Sequence, residues 1–391
     1  MGIHGTPGSG VIGMAGRVTS EPTARPPRLV LNRAGLPVVG TARIYVCGIT
    51  PYDVTHLGHA ATFVWADLLA AVVQLTGVHT STCRNVTDVD DVLTHAADER
   101  GTPYDQFALT QEFLFDQNMQ QLQIKNPDHS PRARHHIAAV QQLGQGMLDS
   151  GAGYEREGQV YFRADDVLAD TGLAMAEALE LSRQHGDDPD DPRKEHPLDV
   201  PVWRTSDEHE PAWPSPWGWG RPGWHAECAA MSLSIHGSSV DVLVGGHDLA
   251  FPHHAYQSAM VECVSHVTPF ARRQMHVGTV HHNGHKMAKS TGNLVLVDEV
   301  LAEHSAAAVR LHLLDRPWSA EWEYDAGELV ATNRRLEVLH TAAGTGTGGA
   351  EAVAAVVGRL LADLDVHGAV ELALTEGGEA ARWLTSFLRV V

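Results

Sequence analysis

The feature that most limits what this chain can fold into is the junction at residues 43–75. Arg43-Ile-Tyr-Val-Cys-Gly-Ile49 is a β-rich run that stops at Thr50-Pro51, where proline removes a backbone donor and closes the strand. From Ala60 to Leu75 the residues Val64, Leu68, Ala71, Val72 and Leu75 recur at helical spacing, the pattern of a helix with one face packed on a sheet. Two further β-type stretches occur, from Val78 into Arg84-Asn-Val-Thr-Asp88 and from Val240 to Val244 ahead of Gly245-Gly246-His-Asp248. Strand, polar motif and helix in this order predict an α/β fold with an open parallel sheet. In such sheets ligands bind in the crevice outside the carboxyl ends of the strands. Residues 47–50, 85–87 and 245–248 are therefore expected to share one cleft.

The rest of the chain divides around that sheet. Residues 1–40 read as a leader with short strands, including Arg28-Leu-Val-Leu31, and residues 41–300 as the sheet domain. An insertion at about 100–220 turns helical and polar and then Pro/Asp/Trp-rich, as in Asp187-Asp-Pro-Asp-Asp-Pro192 and Trp213-Pro-Ser-Pro-Trp-Gly-Trp219. Residues 301–391 read as a helical region, interrupted by Gly344-Thr-Gly-Thr-Gly-Gly349, which has the composition of a flexible linker. Gly8-Ser-Gly10-Val-Ile-Gly13 spells a dinucleotide-type GxGxxG, but no strand precedes it, so it reads as leader. Met1-Gly2 with Thr6 matches a myristoylation pattern too short to carry weight.

Charge and cysteine usage exclude some functions. Against 28 basic residues stand 48 acidic ones, a net charge of −20, which argues against broad attachment to nucleic acid or to an anionic membrane. Cys47, Cys83, Cys228 and Cys263 include no CxxC pair and are too few for a disulfide scaffold, so a reducing cytoplasm is expected. No run approaches a membrane span and no export signal is seen.

Chemistry concentrates in two short motifs. His56-Leu-Gly-His59 lies between the first strand and its helix, where free N–H groups and two imidazoles can donate to phosphate. Some 230 residues later comes Lys286-Met-Ala-Lys-Ser290, whose Lys286 and Lys289 are half of the four lysines in the chain. Two ammonium groups on a loop crossing the same cleft would neutralise a phosphate transition state.

These motifs resemble the HIGH and KMSKS sequences of class I aminoacyl-tRNA synthetases. Tyr45-Val-Cys-Gly-Ile-Thr50, Arg84-Asn-Val-Thr-Asp-Val-Asp-Asp91, Arg221-Pro-Gly-Trp-His-Ala-Glu-Cys228 and Asp248-Leu-Ala-Phe-Pro-His-His254 narrow the resemblance to the cysteinyl branch. Thr50-Pro-Tyr-Asp-Val-Thr-His-Leu-Gly-His-Ala-Ala61, Pro197-Leu-Asp199 and Trp213-Pro-Ser-Pro-Trp217 resemble the mycothiol cysteine ligases of that branch. The resemblance implies a Rossmann-like HUP-type parallel-sheet catalytic domain split by an insertion, with a C-terminal helical domain. It further implies an ATP- and Mg²⁺-dependent activation of L-cysteine as cysteinyl-AMP, followed by transfer to the amine of a small amino sugar, glucosaminyl-inositol, on a cytoplasmic monomer that uses no tRNA. His56, His59, Lys286 and Lys289 would be the catalytic groups. Cys47, Gly48, Ile49, Thr50, Thr62, Asn85, Val86, Thr87, Trp224, Gly246, His247, Asp248 and Val280 would contact the adenylate, with Asp248 holding the substrate ammonium. Cys47, Cys228 and His253 would bind one Zn²⁺, a sound donor set that leaves one position for the substrate thiolate.

The remaining candidates read as structural: Cys83 and Cys263 as buried thiols, the Asp88, Asp90 and Asp91 run as a polar loop or solvated face, His282 and His285 as loop residues, and Trp213, Trp217 and Trp219 as packing. Gln257 stands where cysteinyl-tRNA synthetases carry a metal-shell glutamate, Ala288 replaces the serine of KMSKS, and Ala255 and Gln184-His185 also depart from the relatives. Beyond the pentad, residues 351–391 set Arg359, Arg382 and Arg389 against Glu351, Asp363, Asp365, Glu371, Glu376 and Glu379, a poor surface for reading phosphates. A cysteinyl-tRNA synthetase, a paralogue with another small amine acceptor and a non-catalytic zinc or nucleotide binder stand as alternatives.

Overall fold

The computed structural model of the protein describes residues 28–52, 54–164, 167–169, 171–208, 210–288 and 291–391. The leader motif at residues 8–13, the Met1-Gly2 pattern, Lys289 and Ser290 lie outside the described residues.

A short hairpin opens the described chain, β1 (Val30–Leu31) and β2 (Ala34–Gly35). Asn32 and Arg33 take φ of 52° and 60° between them, the left-handed backbone a two-residue hairpin turn requires. Then come β3 (Thr41–Ile49), α1 (Leu57–Gln74) and β4 (His79–Val86). After the insertion follow α6 (Trp224–His236), β10 (Val240–Gly246), α7 (Ala255–Ser265) and β11 (Ala271–Val277), once the intervening elements α2 (Asp91–Glu99), α3 (Tyr104–Gln121), α4 (Ile137–Ser150) and α5 (Met175–Gln184) are passed. β11, β10, β3 and β4 form a parallel sheet in that order.

Side-chain alternation along the strands assigns the two faces. Ile44, Val46, Val242 and Val244 enter one core with α1 and the C-terminal helices, while Tyr45, Cys47 and Leu243 enter a second core with α6 and α7. Covered on both sides, β10 is buried along nearly its whole length, as parallel strands usually are. Helix α1 is long and apolar enough to cross a membrane, yet 67% of it is buried in the first core.

The region between β4 and α6 contains more strand than its composition suggests. β5 (Gly153–Arg156), β6 (Gln159–Phe162), β7 (Val200–Thr205), β8 (Trp213–Ser215) and β9 (Gly218–Pro222) form an antiparallel sheet ordered β5-β6-β7-β9-β8. Pro214 sits in the edge strand β8, where a missing N–H breaks no central ladder. Trp217 packs beside Trp203 at 6.1 Å, whereas Trp219 is 66% exposed.

The aspartate run is a polar loop held by ion pairs, with Asp91 exposed and Asp88 buried. Asp88 is 1% exposed and pairs with Arg134, Asp90 caps α2 through Val92 N–H, and Asp91 accepts from Arg204 at 2.7 Å and Arg221 at 2.8 Å. The basic partners lie in the insertion, far away in sequence, which is why local reading cannot pair them. Cys83 is buried, but Cys263 is only half-buried beside Ser150.

After the sheet come a small ribbon and the helical end of the chain. β12 (Val280–His282) pairs with β13 (His285–Lys286) and with β14 (Trp322–Glu323), so His282 and His285 are strand residues and not loop. Helices α8 (Val297–Glu303), α9 (Ala306–Leu314), α10 (Ala326–Thr345), α11 (Ala350–Leu361), α12 (Val366–Glu376) and α13 (Gly378–Leu388) complete the chain. The glycine-rich segment between α10 and α11 is a tight crossing and not a flexible linker. A Cβ on Gly346 would lie 2.3 Å from the Gly377 Cα, and Gly348 N–H donates to Glu376 O at 3.0 Å. A buried charge cluster ties this end to α1: Asp67 accepts from Arg310 at 3.2 Å and from Arg389 at 2.9 Å.

Candidate active site

The carboxyl ends of β3, β4 and β10 open on a cleft of about 690 Å³. Cross-links between backbone and short polar side chains hold those ends together. Gly48 N–H donates to Asn85 Oδ1 at 2.9 Å, Thr87 N–H to Ile49 O at 2.9 Å, and the Thr50 and Thr87 hydroxyls meet at 2.8 Å. Cys47, Gly48, Thr50, Thr62, Asn85, Thr87, Trp224, Gly246, His247, Asp248 and Val280 all line the cleft. Ile49 and Val86 do not; both side chains are buried beneath it.

The HLGH segment folds as it does because His56 caps α1. Its Nδ1 accepts from Gly58 N–H at 3.1 Å, and its ring stacks on His59 at 3.9 Å. Burial, with the nearby His59 and Lys286, lowers the His56 pKa to about 3. The ring is therefore neutral, and with Nδ1 accepting it carries its proton on Nε2 as a donor. Residues 295–297 run antiparallel to this loop, with Leu57 N–H on Val295 O at 2.9 Å and Val297 N–H on Thr55 O at 3.0 Å. That pairing brings the KMAKS segment to the HLGH segment from the far end of the sheet domain.

Lys286 reaches into the cleft and bonds Asp248 Oδ2 at 2.6 Å. Burial alone would raise the Asp248 pKa, but the Lys286 ammonium outweighs it and holds the carboxyl below its ordinary range. Asn293 shapes the loop around Lys286. Its amide donates to the carbonyls of His282, His285 and Lys286 at 2.8–3.2 Å and accepts from Ala288 N–H at 3.0 Å. Sequence reading passes over Asn293 because its work is done with backbone groups that no side-chain pattern marks.

On the cleft floor, donor atoms of Cys47, Cys228 and His253 lie within 4.8 Å of one another, all three residues buried. Two sulfurs and an imidazole fit a soft divalent ion. Asn85 Nδ2 approaches Cys228 Sγ at 3.4 Å, and Gln257 Oε1 lies 3.5 Å from Cys47 Sγ. His253 shares a 2.9 Å contact with His225 through Nδ1, which leaves Nε2 as its nitrogen for a metal. Burial keeps both rings neutral, their pKa values well below the ordinary one. The Trp224 ring stacks on His253 at 4.2 Å and walls the cluster. His225 is a second residue that sequence reading misses, although it stands only a turn ahead of Cys228 on α6.

The chain that carries these strand ends, motif residues and the Cys47, Cys228 and His253 cluster matches known proteins along most of its length. Residues 37–334 match the tRNA synthetases class I (C) catalytic domain. Relatives named L-cysteine:1D-myo-inositol 2-amino-2-deoxy-alpha-D-glucopyranoside ligase are 45% identical in Mycobacterium ulcerans, over 72% of this chain and 72% of the relative, and 40% identical in Streptosporangium roseum, over 84% and 82%. The Mycobacterium tuberculosis relative of that name is 42% identical over 82% of this chain and 80% of its own. In fold, the chain resembles Mycobacterium tuberculosis methionyl-tRNA synthetase in complex with methionyl-adenylate, with a TM-score of 0.63 at 18% identity, covering 89% of this chain and 84% of that one. With a family match over residues 37–334 and relatives 40–45% identical over most of the chain, the chain belongs to the class I (C) tRNA synthetase catalytic family, in the branch of the cysteine:glucosaminyl-inositol ligases.

Proposed function

We propose that the chain uses ATP to activate L-cysteine as cysteinyl adenylate and transfers it to the amine of 1D-myo-inositol 2-amino-2-deoxy-α-D-glucopyranoside. The observation that carries this reading is one cleft with a Cys47, Cys228 and His253 cluster on its floor and His56, His59 and Lys286 on its walls. Tetrahedral zinc, at roughly 2.3 Å from sulfur and 2.0 Å from nitrogen, sets its ligand atoms about 3.5–3.8 Å apart, which suits a cluster 4.8 Å across. An amide is a poor zinc ligand, so Gln257 adds none and the protein supplies three. Bound there, zinc would offer its fourth position to a thiolate and so favour cysteine over serine.

The chain's own groups account for the rest. A cysteine carboxylate oxygen attacks the α-phosphorus and pyrophosphate leaves. The Nε2–H of His56, with His59, Lys286 and Lys289 beside Mg²⁺, meets the charge on the phosphates. Asp248 takes the cysteine ammonium in a charge-assisted hydrogen bond. Because Lys286 occupies Asp248 in the structure, an arriving ammonium releases Lys286 toward ATP, so each substrate strengthens binding of the other. The acceptor amine then attacks the carbonyl carbon, the bond to the phosphate oxygen breaks, and AMP leaves. The same reading makes the protein a cytoplasmic monomer that takes no tRNA, in keeping with the acidic surface of α11 to α13.

Cysteine-dependent exchange of pyrophosphate into ATP tests the first half, with serine expected to support none. Offering the amino sugar and tRNA in parallel tests the second. Amide formation with the sugar is expected, and cysteinylation of tRNA alone would overturn the reading.

A further inference from the structure

Next to the cleft lies a second cavity, of about 940 Å³, bounded by α5, α7, β11 and, after β6, by Arg163, Val167, Thr171 and Leu173. His247 and Asp248 line both cavities, so the two meet at the end of β10. None of the chemistry derived above uses the second one.

Its lining has a definite character. Ser258 Oγ is buried without a hydrogen-bond partner. Half-buried Gln274 and exposed Glu177, which stands at the cavity's rim, make no side-chain hydrogen bond among the described residues. His276 engages His254 through Nε2 at 2.8 Å, which leaves its Nδ1 free of that contact. A polar atom buried without a partner typically costs about 1–3 kcal/mol, so Ser258 Oγ, with Gln274 and Glu177 on the same lining, marks a surface suited to a polar ligand. Glu177 and Glu262 both line it, while the guanidinium of Arg163, the cationic side chain beside them, is paired with Glu195. That balance repels phosphate and so disfavours a nucleotide or the end of a nucleic acid. It suits a neutral or cationic molecule rich in hydroxyls, and Phe251 adds an apolar face for a ring.

We propose that the second cavity is the acceptor subsite: Ser258, Gln274 and Glu177 bind the hydroxyls of a polyhydroxylated amine, whose nitrogen lies at the His247 and Asp248 junction. This inference rests on the function proposed above and assigns it a place. From the junction the amine attacks the adenylate carbonyl in the first cavity. A C–N bond forms, the C–O bond to phosphate breaks, AMP leaves with the electron pair, and the amine gives up one proton to solvent.

Two substitutions in the full, zinc-loaded chain test it. Ala259→Trp fills the cavity from α7, and Gln274→Ala removes an amide from its wall. Rates of amide formation are measured against the concentration of 1D-myo-inositol 2-amino-2-deoxy-α-D-glucopyranoside, alongside cysteine-dependent pyrophosphate exchange. Ala259→Trp should raise the acceptor KM by well over tenfold and Gln274→Ala by about tenfold, the loss of one hydrogen bond. Exchange should stay within about twofold of wild type, since a merely structural defect would lower both readouts together. An unchanged acceptor KM in Gln274→Ala, with Ala259→Trp either unchanged or misfolded, overturns the assignment. If the wild-type chain exchanges pyrophosphate yet makes no amide with this sugar, the functional reading itself fails and the subsite falls with it.

Discussion

One methyl group at residue 48 is expected to disable both stability and activity. A Cβ on Gly48 would stand 1.8 Å from the Asn85 carbonyl oxygen and 2.9 Å from its carbonyl carbon. Ordinary contact begins near 3.4 Å, so the strand ends must part by about 1.6 Å. No rotamer relieves this, because the obstacle is the backbone of β4. Parting the strands breaks the 2.9 Å bond from Gly48 N–H to Asn85 Oδ1 and strains that from Thr87 N–H to Ile49 O. Overpacking costs about 1–3 kcal/mol and the lost hydrogen bond about 1 kcal/mol, giving roughly 2–4 kcal/mol for Gly48→Ala. Asn85 also touches Cys228, so the shift carries the Cys47, Cys228 and His253 cluster with it, and a misplacement near 1 Å lowers a rate by about a hundredfold. Denaturant unfolding reads the first effect and cysteine-dependent pyrophosphate exchange the second. Gly35→Ala, where a Cβ meets nothing within 4 Å, is the control. Wild-type exchange by Gly48→Ala, with stability within about 0.5 kcal/mol of the control, would refute the steric argument.

Other perturbations probe separate parts of the molecule. Asp67→Asn leaves the Arg310 guanidinium, 1% exposed, without its counter-charge and should cost about 3–5 kcal/mol in urea unfolding, while Asp67→Leu combined with Arg310→Met should recover much of it. Cys228→Ala should bring zinc content, measured by elemental analysis, from about one per chain to none and abolish exchange with cysteine; retained zinc would remove Cys228 from the ligand set. Acid should destabilise the fold between about pH 6.5 and pH 4. Burial lowers His236, His276 and His312 to about 4, so in that window the unfolded chain binds protons that the folded chain does not, and stability falls with pH. His56, His225, His253 and His254 are lowered by burial as well, while Asp90, raised by burial to about 6, and Asp187 and Glu227, also raised by burial, act in the opposite sense, three carboxyls against seven imidazoles. Midpoints of urea unfolding that rise as pH is lowered from 6.5 to 4.5 would contradict the assignment of these rings as neutral.

What could be read from the sequence follows the range of the physics involved. Strands β3, β4 and β10 announce themselves because each carries its own apolar run and its own polar terminus, and the parallel-sheet rule then brings residues 47–50, 85–87 and 245–248 together without any knowledge of long-range contacts. Helix α1 is equally local, although its start at Leu57 lies ahead of the periodic segment, because the cap His56 and not the apolar repeat sets the boundary. Strand β11 goes unnoticed, since Ala271-Arg-Arg-Gln-Met-His-Val277 presents three polar residues in a row at the edge of the sheet, where one side of the strand meets no neighbour.

The misses share a cause that lies beyond local pattern. Asp88, Asp90 and Asp91 read as a polar loop or solvated face, and the ion pairs of Asp88 and Asp91 are not legible until Arg134, Arg204 and Arg221 are brought to them from the insertion. Gly344 to Gly349 has the composition of a linker, yet glycine serves flexible chain and close backbone packing equally well. Only the approach of Gly377 decides between them, and that approach depends on how α10, α12 and α13 pack. Asp248 carries the same lesson into the site. Its position after a strand suits it to bind a ligand, but its bond to Lys286 joins the end of β10 to the KMAKS segment. That coupling belongs to neither motif, because it exists only when the β12–β13 ribbon that carries Lys286 lies against the end of β10.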